Sequence, residues 1–272
     1  MPLSQRTVRH ETTIRRLTVA SVQRVVPSIV RVTLTGPALT GFTSPGPADH
    51  VKLFLPDAET GVLATPALGG ETTGMGKVIA RDYTPLAFRA AIGDTPAELD
   101  IDLVIHGEEG PASAWAAAAQ PGQEVAIGGP RGSRLVPEGL RRLIVVADET
   151  ALPATARWLA LTPPEVPVTA LLDVADPETE GYLAAAPADG AELLWHHGHD
   201  AAALEATLRS LAPFDEDTFL FLAGEATALV PLRRYLRREL GLPKEQVWAS
   251  GYWKRGVVAL DHHAPLDVDD PD

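Results

Sequence analysis

The hydrophobic pattern of this chain changes once, close to residue 141. Before that point, short segments alternate apolar and polar residues, as in 98–106 (ELDIDLVIH), which is typical of strands with one buried face. After it, residues 143–147 (LIVVA) form an uninterrupted apolar run, which is typical of a strand buried on both faces of a parallel sheet. The change of period therefore predicts two domains, each built on a different kind of sheet.

The first half predicts a small antiparallel barrel, because segments that fit strands are separated by turn signals. These segments lie at 12–34 with a break near Pro27, at 49–55, at 80–85 with an end at Pro85, at 98–106 and at 124–127. A long loop without periodicity is expected over 56–76. The alanine-rich run 111–119 opens with proline and predicts one helix.

The second half predicts an open α/β sheet, because its strands alternate with helices. Strands are expected at 143–147, 166–174, 191–195 and 218–223, with helices after 148–153, over 200–211 and after Gly224-Glu225. Ligands of such sheets bind at the carboxyl ends of the strands, which here are 148–153, 195–199 and 223–226. This half contains no G-x-G-x-x-G, the usual dinucleotide fingerprint.

Composition excludes several functions. The 272 residues include no cysteine, which excludes disulfides, a thiol nucleophile and a cysteine-ligated iron–sulfur cluster. Redox chemistry would therefore require an organic cofactor or a metal with other ligands. The net charge of −13 disfavours nucleic acid and anionic membranes as partners. Because the sequence shows neither a signal-peptide core nor a run of ~20 apolar residues, we expect a cytoplasmic protein, and we expect it to be a monomer.

The segment RDYTP (81–85) combines three side chains that suit a flat, phosphate-bearing ligand. Arg81 and Tyr83 share one face of a strand. The guanidinium fork matches two phosphate oxygens, the phenol ring can stack on an aromatic cofactor, and Thr84 can bond a polar edge. Together they could hold a flavin nucleotide. The alternative is an edge strand with a surface arginine and a half-buried tyrosine, and the motif taken alone favours that alternative.

Two further segments could bind phosphate. The 111–119 helix follows Gly110, and a helix start offers free N–H groups and a favourable dipole; alternatively, this helix covers one mouth of the barrel. The last helix, 226–240, carries four arginines mostly off its apolar face. A solvated face is the favoured interpretation of these arginines. The acidic residues after 256 indicate a disordered tail.

Six segments in this order resemble the siderophore-interacting protein family, the flavin-dependent ferric-siderophore reductases of the ferredoxin-reductase superfamily. They are RDYTP (81–85), DLVIHGEEGPASAW (102–115), PGQEVAIGGPRGS (121–133), VADETALPAT (146–155), FLAGEATALVPLRRYLRREL (221–240) and GYWKRG (251–256). The resemblance implies an FAD-binding antiparallel β-barrel over 1–136 and an NAD(P)H-binding α/β domain over 137–256. The acidic tail, 257–272, lies outside it.

The resemblance also implies roles for individual residues. FAD contacts would come from Arg81, Tyr83, Thr84, His106, Ala112, Ser113, Asp148, Thr150 and Ala151. NAD(P)H contacts would come from Glu149, Gly224 and Glu225. Lys254, helped by Arg255, would attract the anionic ferric chelate. No resident metal is implied, since iron is the substrate.

The chain departs from the family pattern at two places. Many members have an arginine two residues after the threonine of RDYT, where this chain has Leu86. Many also have an arginine after the third strand of the second domain, where this chain reads WHHGH (195–199). The first departure leaves the mode of FAD binding open, and the second leaves the choice between NADH and NADPH open. The clustered histidines raise the idea of a metal site, although a solvated loop cluster is favoured.

The implied reaction is FAD-dependent reduction of a ferric siderophore. NAD(P)H would give a hydride to the flavin, which would pass single electrons to Fe(III), and the resulting ferrous iron would be released because it binds oxygen-donor chelators weakly. No acid–base triad is needed. Two alternatives remain open: a siderophore carrier that has lost its flavin, and a general flavin reductase or ferredoxin-fed electron relay.

Overall fold

The computed structural model describes residues 3–66, 72–73, 76–105, 110–184, 186, 190–258, 260, 265–267 and 270. The chain forms two compact units. The first unit is Thr7–Arg134, and the second combines Met1–Arg6 with Leu135–Asp272.

The first unit is dominated by one antiparallel sheet. Its elements are β1 (Thr7–Arg9), β2 (Ile14–Val26), β3 (Ile29–Thr35), β4 (Val51–Leu55), β5 (Thr65–Pro66), β6 (Thr72–Thr73), β7 (Ile79–Tyr83), β8 (Pro85–Arg89), β9 (Glu98–Val104), α1 (Pro111–Ala118), β10 (Glu124–Gly128) and β11 (Gly132–Arg134). Seven of these strands pair in the order β7-β4-β10-β2-β3-β9-β8. The short strands pair separately, β1 with β11 and β5 with β6.

The seven-stranded sheet curls into a barrel. Strands β7 and β8 stand at opposite ends of the strand order, yet Thr84 alone separates them along the chain. The two edges of the sheet must therefore come together at this residue. Apolar side chains such as Leu53 and Ile101 fill the interior, and α1 packs against β3 and β9. On its other face, β9 presents Asp100 and Asp102, which pair with arginines of β8 and β3.

The predicted strands of the first half are confirmed with a difference at Pro85, and the loop expected over 56–76 contains the short paired strands β5 and β6. The sequence predicts that a strand ends at Pro85, whereas the structure begins β8 there. Proline has no N–H to donate, and the first position of a strand tolerates that loss. The helix predicted at 111–119 is confirmed as α1.

The second unit is an open α/β sheet. Its elements are β12 (Arg142–Ala147), α2 (Leu152–Leu161), β13 (Val168–Val174), β14 (Glu192–His197), α3 (Ala201–Ser210), β15 (Thr218–Glu225), α4 (Ala226–Arg234) and β16 (Val247–Trp253). A π-helical turn, Tyr235–Glu239, continues α4. The five strands are parallel in the order β14-β13-β12-β15-β16. The prediction of an antiparallel sheet followed by a parallel one is therefore confirmed.

Apolar layers cover both faces of the parallel sheet, as the uninterrupted apolar strands predict. Alternate residues of β15 point to opposite faces. Phe219 and Phe221 pack on Trp158 of α2, whereas Leu220 and Leu222 pack in the cluster that includes residues of α3 and α4. Strand β16 was not predicted. It is a half-buried edge strand, and its VWASGYW sequence lacks the apolar run of its neighbours.

The arginines of the last helix are paired with the acidic tail. Arg233 is buried and lies 3.3 Å from Asp270, which also pairs with Arg238. Arg234 donates a hydrogen bond of 2.7 Å to Asp267. The expectation of a solvated arginine face is wrong for the buried Arg233, whereas Arg234 and Arg238 are exposed as expected. The ion pairs of Asp267 and Asp270 contradict the expectation of a disordered tail at these two positions. Among the helices that the structure describes, none has the length and hydrophobicity that a bilayer crossing requires.

Candidate functional site

The RDYTP segment lies on β7, where the strand alternation separates its side chains. Arg81 pairs with Leu53 of β4, and Tyr83 pairs with Val51. Residues directly opposite in an antiparallel pair share a face, so Arg81 and Tyr83 lie on the face of two completely buried apolar residues. Asp82 lies on the other face and forms an ion pair with a lysine of β4. The predicted sharing of one face by Arg81 and Tyr83 is thus observed.

The side chains of Arg81 and Tyr83 can both interact with a ligand. One N–H of Arg81 donates to the Ala80 carbonyl over 2.7 Å, and no carboxylate among the described residues pairs with its guanidinium. By contrast, Arg31 and Arg89 form ion pairs. Tyr83 packs against the apolar core, and burial raises the pKa of its hydroxyl, so the ring is neutral. A neutral ring beside an available guanidinium suits a planar group that carries phosphate.

The start of α1 offers a second set of donors in the same unit. Gly110 precedes the helix in an extended conformation, and no side chain caps it. Ala112 and Ser113 are buried. The indole nitrogen of Trp115 is buried without an acceptor among the described residues. These features fit an anionic ligand that supplies the missing acceptors. The predicted FAD contact His106 lies outside the described residues.

Leu86 lies on a β-bulge. The pairing between β8 and β9 shifts between Pro85 and Ala87, which leaves Leu86 as the extra residue. Its side chain is half-buried, and it cannot supply the second guanidinium that many family members have. Any phosphate bound in this unit would therefore depend more strongly on Arg81 and the start of α1.

In the second unit, Asp148 joins the ends of three strands. This buried residue follows β12. Its Oδ1 accepts from the N–H and the hydroxyl of Thr150, over 2.9 and 2.5 Å. Its Oδ2 accepts from the N–H of Glu225 and from Nε1 of Trp253, each over 2.8 Å. Burial raises the pKa of Asp148, while these hydrogen bonds oppose that effect. Thr150, Glu225 and Asp148 were all predicted site residues, and the structure brings them together.

Gly224 and Glu225 belong to the junction that the Asp148 carboxylate forms between the ends of β12, β15 and β16. Gly224 has a φ of +147°, and a Cβ at this position would lie 2.7 Å from the Asp148 carboxylate, so a side chain does not fit. Glu225 accepts from the N–H of Ala228 over 2.7 Å, which caps α4, and from the N–H of Arg255 over 3.1 Å. Ala151 is buried at the start of α2.

The sequence analysis did not assign Trp253 to the site. Trp253 stands between Tyr252 and the basic pair Lys254 and Arg255, inside the GYWKRG segment. However, nothing in the sequence indicates a hydrogen bond between residues so far apart.

Lys254 and Arg255 lie on an exposed turn directly after β16. The turn is closed by a hydrogen bond from the N–H of Val257 to the Lys254 carbonyl, over 3.0 Å. Both basic side chains are exposed, and no carboxylate among the described residues pairs with either of them. They are therefore available to an anionic ligand from solvent.

Glu149, Asp173 and His199 form a second group at the carboxyl end of the parallel sheet, here named the carboxylate–imidazole cluster. His199 Nε2 lies 3.6 Å from Glu149 Oε1, and its Nδ1 lies 3.9 Å from Asp173 Oδ1. Glu149 also accepts from the N–H of Ala175. Burial raises the pKa of both carboxyl groups, and the His199 charge opposes this. Glu149 was a predicted NAD(P)H contact, whereas Asp173 was not assigned. Within the described residues, no group of three or more His, Asp or Glu side chains has metal-binding geometry.

Sequence comparison identifies two family profiles along the chain. Residues 18–134 match the siderophore-interacting FAD-binding domain, and residues 140–256 match the siderophore-interacting protein profile. These two matches cover most of the chain.

Individual proteins match over nearly the full length. The NADPH-dependent ferric-chelate reductase of Escherichia coli K12 is 37% identical over 254 residues, which cover 90% of this chain and 95% of that protein. The ferric vibriobactin reductase ViuB of Vibrio cholerae is 30% identical over 249 residues, which cover 90% of each chain. The crystal structure of a siderophore utilization protein from T. fusca superposes with a TM-score of 0.84 at 39% identity, covering 96% of this chain and 100% of that one.

Proposed function

Because the chain belongs to the siderophore-interacting protein family, we propose that it is an oxidoreductase that reduces ferric siderophores. The proposed cofactor is FAD and the proposed electron donor is NAD(P)H. Two relatives named as ferric reductases, one of them NADPH-dependent, support this proposal. The observation that carries it is the pair Arg81 and Tyr83 on one face of β7, inside the segment that matches an FAD-binding domain.

We assign the flavin to the first unit. Arg81 would bind the diphosphate through its guanidinium, Tyr83 would stack on the isoalloxazine, and Thr84 would bond its polar edge. Ala112 and Ser113 would contribute the N–H groups at the start of α1. When bound, FAD accepts two electrons as hydride and delivers them one at a time, which matches a nicotinamide donor to a ferric acceptor.

We assign the nicotinamide donor to the second unit. The strand order reverses between β12 and β15, and ligands of open α/β sheets bind at such a switch point. Asp148, Gly224 and Glu225 lie there, and the hydrogen bonds of Asp148 hold these chain segments in place. In this proposal the junction orients the donor, and Thr150 and Ala151 follow Asp148 at the same end of β12.

We assign the ferric chelate to the basic turn of Lys254 and Arg255. The two exposed side chains present positive charge on a chain whose net charge is −13, so they would draw an anionic chelate towards this turn. Ferrous iron binds oxygen-donor chelators more weakly than ferric iron, so reduction would release it. Iron is the substrate in this reaction.

Absorbance spectroscopy of the purified protein tests the proposal. We expect a flavin spectrum, bleaching by NADH or NADPH under anaerobic conditions, and recovery on addition of a ferric chelate while a ferrous-specific dye reports iron release. Arg81→Ala should lose flavin. Arg16→Ala is the matched control, because Arg16 is an exposed arginine in the same unit.

The other outcomes identify the alternatives. A colourless protein that still binds ferric chelate would be a carrier, which Leu86 favours to some extent. A flavoprotein that reduces free flavin as readily as the chelate would be a general flavin reductase. Bleaching by reduced ferredoxin alone would indicate an electron relay.

A further inference from the structure

The carboxylate–imidazole cluster lies where doubly wound sheets bind the ribose of a dinucleotide. In such sheets, an acidic residue about 20 residues after the first strand–helix turn hydrogen-bonds the 2′-hydroxyl of NAD. Asp173 is the penultimate residue of the second strand, β13, and follows Asp148 by 25 residues. Its position in the sheet therefore matches that of a ribose-binding carboxylate.

Asp173 also has an acceptor that nothing in the described part of the chain satisfies. The residue is 6% exposed. The backbone N–H of His199 lies close enough to the carboxylate to lower its pKa, but Oδ1 accepts no hydrogen bond of normal geometry from the described residues. Its neighbour across the strand pair, His196, has a buried Nε2 that is likewise without a partner there. A buried carboxylate oxygen without a donor is costly. A ligand hydroxyl would supply the missing donor.

His199 lies beside this acceptor in an unfavourable backbone conformation. His199 has a φ of +57°, a left-handed conformation that is uncommon for residues other than glycine. The N–H of Gly198 donates to the carbonyl of Val174 over 2.9 Å, which folds the loop back over the end of β13. Strained residues of this kind cluster at functional sites, and here the strained backbone holds an imidazole between Glu149 and Asp173.

We propose that Asp173, with Glu149 and His199, makes this protein select NADH over NADPH. This inference rests on the proposed function, since it concerns the donor of that reaction. The 2′-hydroxyl of NADH can donate to Asp173 Oδ1. The 2′-phosphate of NADPH carries about −1.5 to −2 charges at neutral pH, so the carboxylates of Asp173 and Glu149 would repel it.

The electrostatic surroundings of the cluster support this selection. Among nearby charged groups, those that shift the pKa values of Glu149 and Asp173 are His199, His196 and Asp148. Neither arginine nor lysine, the usual partners of phosphate, is among them. A site that hydrogen-bonds a substrate hydroxyl discriminates strongly, because the wrong ligand leaves buried groups unpaired.

Calorimetric titration of the FAD-loaded protein with NAD⁺ and with NADP⁺ tests the inference without electron transfer. We expect NAD⁺ to bind at least ~tenfold more tightly than NADP⁺. In Asp173→Asn, which removes the charge while keeping the side-chain shape, the ratio should move towards one. Glu178→Gln is the matched control, since it removes one exposed negative charge from the same unit and should leave the ratio unchanged.

The possible failures are distinguishable. Equal or tighter binding of NADP⁺ by the unmodified protein overturns the inference, and the proposed function stands if NADPH bleaches the flavin. Binding of neither dinucleotide, with no bleaching by NADH or NADPH, overturns the nicotinamide donor and this inference with it. A preference that is unchanged in a folded Asp173→Asn, as judged by its thermal unfolding, overturns the role of Asp173.

Discussion

The indole nitrogen of Trp253 donates a hydrogen bond of 2.8 Å to Oδ2 of Asp148, although the two residues are 105 positions apart. The same oxygen accepts from the N–H of Glu225. One buried carboxylate therefore joins the ends of β12, β15 and β16. Hydrogen bonds to charged groups contribute more than neutral ones, so this junction should be important for the stability of the second unit.

Trp253→Phe should test that contribution, because it removes the N–H and keeps an aromatic ring. We expect a loss of ~1.5–3 kcal/mol in the free energy of unfolding, as for other hydrogen bonds to charged groups. Urea unfolding followed by far-UV circular dichroism measures it. Trp195→Phe makes the same change at a half-buried position of β14 and should cost less; equal losses would show that ring size, and not the hydrogen bond, matters.

Gly224→Ala should destabilise the second unit through a steric clash. The new Cβ would lie 2.7 Å from the Asp148 carboxylate, in a backbone with φ +147°. Gly241→Ala is the matched control, since Gly241 also has a positive φ, +68°, but open space around it. We expect Gly224→Ala to lower the thermal unfolding midpoint markedly more than Gly241→Ala. Similar shifts would mean that backbone strain, not the contact with Asp148, requires glycine at 224.

The sequence predicted those parts of the fold that depend on local patterns. The change of hydrophobic period near residue 141 separates the two sheets because period reflects how many faces of a strand are buried. Pro85 was misassigned because proline can end a strand or begin one. Strand β16 was missed because its half-buried side chains carry little apolar signal, and it becomes a strand through pairing with β15.

Contacts between distant residues account for the rest of what the sequence did not predict. The alternation that puts Arg81 beside Tyr83 is a local property and was predicted. In contrast, the contact of Trp253 with Asp148 and the ion pair of Arg233 with Asp270 depend on how the chain folds back on itself. A single sequence contains no local signal for either pairing.

Asp173 should make stability depend on pH in a definite direction. Burial raises its pKa in the folded protein, whereas the unfolded chain has the ordinary aspartate value. Between the two values, the folded state holds the proton that the unfolded state has released. The contribution of this group is therefore complete below the ordinary pKa and decreases as the pH rises through the folded pKa.

Asp173→Asn tests this effect, since it removes this titratable group while keeping the side-chain shape. At pH values below the ordinary aspartate pKa, the unmodified protein and the variant should have similar free energies of unfolding. Towards neutral pH, the unmodified protein should lose stability relative to the variant. Urea unfolding across this range measures the difference between the two, and a constant difference would show that the Asp173 carboxyl does not have the raised pKa.

Lys254→Ala should weaken the reaction with an anionic ferric chelate. An exposed charge contributes modestly, so we expect the KM for such a chelate to rise about two- to fivefold, with less effect at high ionic strength because salt screens the attraction. The KM for a small neutral electron acceptor should not change. Lys244→Ala removes another exposed lysine of the same unit and serves as the matched control. Steady-state kinetics with both acceptors measures the effect; equal losses with the anionic and the neutral acceptor would contradict a role for Lys254 in attracting the chelate.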